Sequence, residues 1–145
     1  FMLVWGMFAT EWRNEADAES PTRFFGIEPV LYTHDVQATA EFYRDKLGFH
    51  LDFLYGDPPD HAGVSRGEWS GSLVSLQLTQ VPLEREIKPS ANLHIRVDSN
   101  LDRLYEQYRT NGIEIIAAPD DKPWGFREFA IKDHAGHVLI FGALL

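Results

Sequence analysis

Two helical segments that repeat about 64 residues apart do most to limit what this chain can fold into. Asp35 precedes "VQATAEFYRDKL", in which Val36, Ala40, Tyr43 and Leu47 recur at helical spacing before Gly48. Asp98 likewise precedes "LDRLYEQYRTN", with Leu101, Leu104, Tyr105 and Tyr108 on one face before Gly112. The two aspartates lie 63 residues apart and the two glycines 64. Extended stretches lead into both segments, "IEPVLYTH" (27–34) and "NLHIRVD" (92–98). Three strand-like runs follow each: "HLDFLY", "AGVSRG" and "SLVSLQL", then "IEIIAA", "REFAIKD" and "HVLIFG". The order is β-α-β-β-β, twice. A repeat of this length is too long for a solenoid unit and suits a duplicated αβ module.

With 145 residues, 44% of them hydrophobic, the chain can fill one core but not two full-sized domains. The expected architecture is α+β, with modules at about 26–80 and 91–145 in a single domain over 24–145. Loops are expected at "PPD" (58–60) and "PLEREIKPS" (82–90), the second linking the modules. Residues 1–23 are expected to stand outside this fold. Their apolar stretch "FMLVWGMFA" is too short to span a bilayer and lacks the basic start of a signal peptide. It reads as an arm that docks on a partner subunit, or as an extension foreign to the fold.

Thirteen basic against 22 acidic residues give a net charge of −9, which argues against nucleic acid as a partner and mildly favours cationic ligands. No cysteine is present, so thiolate chemistry and Cys-type zinc sites are excluded. A reducing cytoplasm fits, and no membrane partner is expected. The serines lack a G-x-S-x-G setting, and no two histidines fall at i,i+2 or i,i+4 spacing.

Strand alternation assigns the sheet faces. Leu93, Ile95 and Val97 oppose Asn92, His94 and Arg96, while Val74, Leu76 and Leu78 oppose Ser75 and Gln77. The apolar sets belong beneath the helices. The polar sets are then expected to line a concavity, with Tyr32, Phe53, Trp69 and Trp124 as aromatic walls.

The ordered stretches "PVLYTHDVQATAEFYRDKLGF", "HAGVSRG" and "PWGFREFAIKDHAGHVLIFG" resemble the glyoxalase/bleomycin-resistance (vicinal oxygen chelate) superfamily over roughly residues 26–142. Within it they most resemble the bleomycin-resistance, bleomycin-binding proteins. The resemblance implies tandem βαβββ modules forming a curved mixed sheet with a cleft, and a homodimer, often with an exchanged N-terminal strand. It places the superfamily's four metal seats at Glu28, Gln77, Asn92 and Ile140. Isoleucine has no lone pair to donate and Asn and Gln are weak ligands, so neither a metal nor another cofactor is expected. In the turn "DHAGH", His134 and His137 are expected to face solvent rather than hold a metal. The same resemblance marks Phe53, His61, His94 and Trp124 as ligand walls, with His61 and His94 standing where resistance proteins carry Phe and Trp. The expected function is metal-independent sequestration of a small cationic or aromatic ligand, as in antibiotic resistance, with no catalytic residues. The alternative is a glyoxalase-like lyase or dioxygenase using Glu28, Gln77 and Asn92 around a divalent metal.

Overall fold

A computed structural model describes residues 26–68, 73–89 and 91–145; the expected arm at 1–23 and Trp69 lie outside the described residues. The first module runs β1 (Val30–Thr33), α1 (Val36–Asp45), β2 (His50–Gly56), β3 (Pro59–Gly67) and β4 (Leu73–Gln80). The second runs β5 (Leu93–Arg96), α2 (Leu101–Thr110), β6 (Ile115–Asp121), β7 (Phe126–Lys132) and β8 (Val138–Leu144). Each forms its own four-stranded sheet, in the orders β1-β4-β3-β2 and β5-β8-β7-β6. The first strand of each module pairs in parallel with the last, and the other pairs are antiparallel. The expected tandem βαβββ modules with mixed sheets are present, each module carrying a four-stranded sheet of its own.

Local chemistry explains most boundaries. Asp35 caps α1, its Oδ1 accepting the Ala38 N–H at 3.0 Å. Gly48, at φ 77°, then turns the chain toward β2 in a conformation that side chains other than glycine seldom tolerate. The second helix departs from expectation. Its N-cap is Asn100, at φ 59° and without a side-chain cap bond, rather than Asp98. The cap must directly precede the first helical residue, and burial of Leu101 fixes that start three residues beyond Asp98. Strand β3 begins at Pro59, inside the expected "PPD" loop. Strand β6 starts at Ile115, because Ile113 is spent on the turn that closes α2, donating its N–H to Tyr108 O at 3.2 Å.

One continuous apolar core receives both modules. Leu31, Val36, Tyr43, Leu47, Val64, Leu76 and Leu78 join Ile95, Leu101, Tyr108, Phe129, Ile131, Leu139 and Phe141 in a single cluster, with Val74, Leu93 and Val97 packed against it. Stacked Phe129 and Phe141, with Tyr108 edge-on to both, give the second half an aromatic centre.

The turn carrying His134 and His137 contributes polar links across this junction; His134 is exposed as expected, and His137 is not. His137 is only 7% exposed, and its Nε2–H donates to the Tyr32 carbonyl at 2.8 Å. His134 Nδ1 meets the Thr39 hydroxyl at 2.8 Å, and Thr39 in turn meets Thr33 at 2.7 Å. Between them Tyr43 donates its hydroxyl proton to Asp133 Oδ2 at 2.7 Å. Turn side chains normally reach water. Here the turn lies against α1 and β1, and buried polar groups there must find partners.

Candidate functional site

The faces of the sheets turned away from the core carry the polar and aromatic residues. Those of the first sheet form a hydrogen-bonded chain. Gln77 Nε2 donates to Glu28 Oε2 at 2.8 Å, which leaves Gln77 Oε1 as an acceptor for His61 Nε2–H at 2.9 Å. With Nε2 as the donor, His61 Nδ1 accepts from the Thr79 hydroxyl at 2.9 Å. Both imidazole nitrogens are thereby used, and only the ring faces remain. One of them stacks on Phe53, centroids 5.7 Å apart and planes 27° apart. Phe53 lies over Gly63, where an added Cβ would run into its ring. Tyr32 occupies the neighbouring edge strand opposite Thr79, with the Arg85 guanidinium 4.6 Å above its ring.

The second sheet presents a different constellation. Trp124, in the turn before β7, is 59% exposed, and its indole N–H donates to Glu128 Oε2 at 3.1 Å. His94 Nε2 reaches the same oxygen at 3.0 Å from β5. Phe126 stands edge-on to His94 at 5.4 Å, with the Arg96 guanidinium 5.2 Å from its ring. Gly142 makes room for the imidazole, since a Cβ there would fall 2.8 Å from His94 Cε1. Burial pushes the Glu128 carboxyl upward. Hydrogen bonds from Trp124 and His94, with the charge of Lys122, outweigh it and hold the group below its ordinary value. Asn92 is exposed just before β5, and Ile140 pairs with His94 and Ala130 on this face.

The sequence-predicted residues fall into two groups. Phe53, His61, Gln77, Glu28 and Tyr32 belong to the first sheet; His94 and Trp124 belong to the second, with Asn92 at the edge of β5. Among the described residues no hydrogen bond or ring contact joins the Phe53–His61 group to the His94–Trp124 group. Both sheets turn their apolar sides into one core, and the polar groups lie on the faces turned away from it. Cavities of about 520 and 740 Å³ flank Arg66, Arg103 and Tyr108 at the module junction, and none of the predicted ligand residues lines them. Glu128 was not singled out from sequence. Its signal was a lone acid at an outward position of "REFAIKD", in register with Phe126 and Ala130.

The donor set at the superfamily's metal seats does not fit a transition-metal ion. Glu28 and Gln77 bond each other, His61 fills the remaining Gln77 oxygen, and Ile140 offers no lone pair. Among the described residues no three His, Cys, Asp or Glu side chains gather as a metal centre would need.

The fold and faces define a duplicated βαβββ protein with outward polar and aromatic surfaces. The chain belongs to the Glyoxalase/Bleomycin resistance protein/Dioxygenase superfamily, whose profile matches residues 26–141. A bleomycin-binding protein from bleomycin-producing Streptomyces verticillus, solved with copper(II)-bleomycin, is 32% identical, with 84% of this chain and 98% of that one covered at a TM-score of 0.66. A glyoxalase/bleomycin resistance protein/dioxygenase from Nocardioides is 27% identical, with 88% and 89% covered at the same TM-score of 0.66. The uncharacterized protein YetH of Bacillus subtilis (strain 168) is 25% identical over 114 residues, 77% of this chain and 91% of that protein. Among the described residues no helix is long and apolar enough to cross a membrane.

Proposed function

We propose that this protein binds and sequesters a small planar, cationic or aromatic ligand without a metal, in the manner of the bleomycin-binding branch of its superfamily. One observation carries the reading. His61 has both nitrogens satisfied by Gln77 and Thr79, and so offers a ligand only a ring face, already aligned with Phe53. A ring fixed in this way is a stacking surface rather than a metal ligand or general base. Trp124 supplies a second exposed aromatic surface on the other sheet.

A ligand held between these surfaces calls for two copies of the chain, because within one copy no contact among the described residues brings the two groups together. We therefore propose a homodimer in which the first sheet of one subunit faces the second sheet of the other. Exposed Ile27, Val30, Leu54 and Tyr55 on the first module supply apolar area for such a contact.

Copper(II)-bleomycin and metal-free bleomycin, titrated by calorimetry, test the reading. Saturable binding that is lost in Phe53→Ala is expected, with elemental analysis finding no stoichiometric metal in the purified protein. One tightly held nickel, zinc, manganese or iron ion per subunit would overturn the reading in favour of a glyoxalase-like lyase or dioxygenase.

A further inference from the structure

Glu128 is an unusual residue for its place. It sits in the middle of β7, 9% exposed, between the core residue Phe129 and the outward surface of the second sheet. An ionised carboxylate in such a position is costly unless donors compensate it. Its donors are not core groups. They are the two rings that this face presents to the outside, the exposed Trp124 indole and the half-exposed His94 imidazole, and both bond the same oxygen, Oε2.

From this geometry we infer that Glu128 is a positioning residue that fixes Trp124 and His94 as one rigid unit for ligand contact. The inference rests on the second sheet being a ligand surface, as proposed above. Trp124 follows Pro123 and precedes Gly125, whose φ is 94°, so the turn alone leaves the indole little lateral support. The carboxylate supplies that support from beneath. His94 is held on its second side by the space that Gly142 leaves, so removing Glu128 frees the indole more than the imidazole. The charged groups facing Glu128 are His94 from β5 and Lys122 from the turn before β7, while Arg96 of β5 lies over Phe126. Arg127, next in sequence, points elsewhere and is engaged by Asp102 and Asp121.

The distinguishing measurement is exchange of the indole N–H protons by NMR, with the Trp124 signal among the four tryptophans assigned by its loss in W124F. In the wild type the Trp124 proton is expected to be protected at neutral pH. It should lose protection as acid protonates Glu128, below the ordinary glutamate range. In Glu128→Ala the signal should shift and exchange about tenfold faster or more, the scale of one hydrogen bond to a charged group. Glu128→Gln keeps an acceptor oxygen without the charge, so partial protection with no acid transition is expected; this variant decides the matter if the alanine variant does not fold. An indole signal unchanged in both variants overturns the inference. Bleomycin titrations of the same proteins separate the two proposals. Failure of the wild type to bind would remove the ligand reading while leaving the indole result to judge Glu128. Binding that weakens about tenfold in Glu128→Ala, and less in Glu128→Gln, supports both.

Discussion

Gly63 and Gly142 decide how closely an aromatic ring can lie on each sheet. Phe53 rests over the first and His94 over the second, each in space that a Cβ would occupy. Gly63→Ala should push Phe53 off the sheet and break its alignment with His61. A loss of about 1–3 kcal/mol is expected from overpacking, read as a lower urea midpoint with a weakened near-ultraviolet signal. Trp124→Ala should behave differently. The indole is exposed and makes one side-chain hydrogen bond, so stability should change by no more than about 1 kcal/mol. Binding of a planar probe should weaken by roughly 1–3 kcal/mol, the scale of one stacking partner. A large drop in the denaturation midpoint would instead mark Trp124 as structural. At this scale the sequence was legible where period two governs: it separated Gln77 and His94 from Leu76 and Ile95. It did not reveal Glu128, because a carboxylate in a strand looks alike whether it serves solvent or two neighbouring rings.

The turn between β7 and β8 holds the two modules together through Asp133 and through His137, which sequence reasoning assigned to water. No local pattern could have corrected this, because Tyr43 and Asp133 lie 90 residues apart and meet only in the folded chain. The Asp133 carboxylate also takes the Ala135 and His137 backbone N–H groups on Oδ1, which closes the turn on itself. Tyr43→Phe removes the only side-chain donor to Oδ2 among the described residues and leaves a buried carboxylate oxygen unpaired. A cost of about 1–3 kcal/mol is expected in urea unfolding. Equal stability of Tyr43→Phe and wild type would mean that water replaces the hydroxyl and that the turn is not a latch. The cap of α2 teaches the same lesson at shorter range. Asp98 has the right chemistry for a cap, but burial of Leu101 decides where the helix begins.

For the molecule as a whole, alkaline pH tests the shared core. Burial, reinforced by Asp133, raises Tyr43 well above the ordinary tyrosine value of 10.0. Burial raises Tyr108 to about 12, against the opposing pull of Arg66. Between pH 10 and each folded value the unfolded chain has already released a proton that the folded chain retains. Stability is therefore complete below pH 10 and falls as pH rises, by about 1.4 kcal/mol per unit for each tyrosine. Tyr43→Phe and Tyr108→Phe should each flatten that slope in urea melts taken from pH 9 upward; an unchanged slope in both would place the loss elsewhere. Sequence repetition made the duplicated architecture legible, while it said nothing of how many sheets the modules form. Two matching modules can pair edge to edge or pack through their helices, and the repeat is identical in either case.

The division of the polar groups between two sheets has a consequence for mixtures of variants. If each ligand place combines the first face of one copy with the second face of another, Phe53→Ala and Trp124→Ala are defects in different halves of the same place. Either variant alone would lack a full-affinity place. Unfolded together and refolded at equal concentration, half of the random pairs would be mixed, and each mixed pair would contain one doubly damaged place and one intact place. About a quarter of the wild-type full-affinity capacity should then reappear from two parents that have none. A chain that assembles its ligand place alone would recover none.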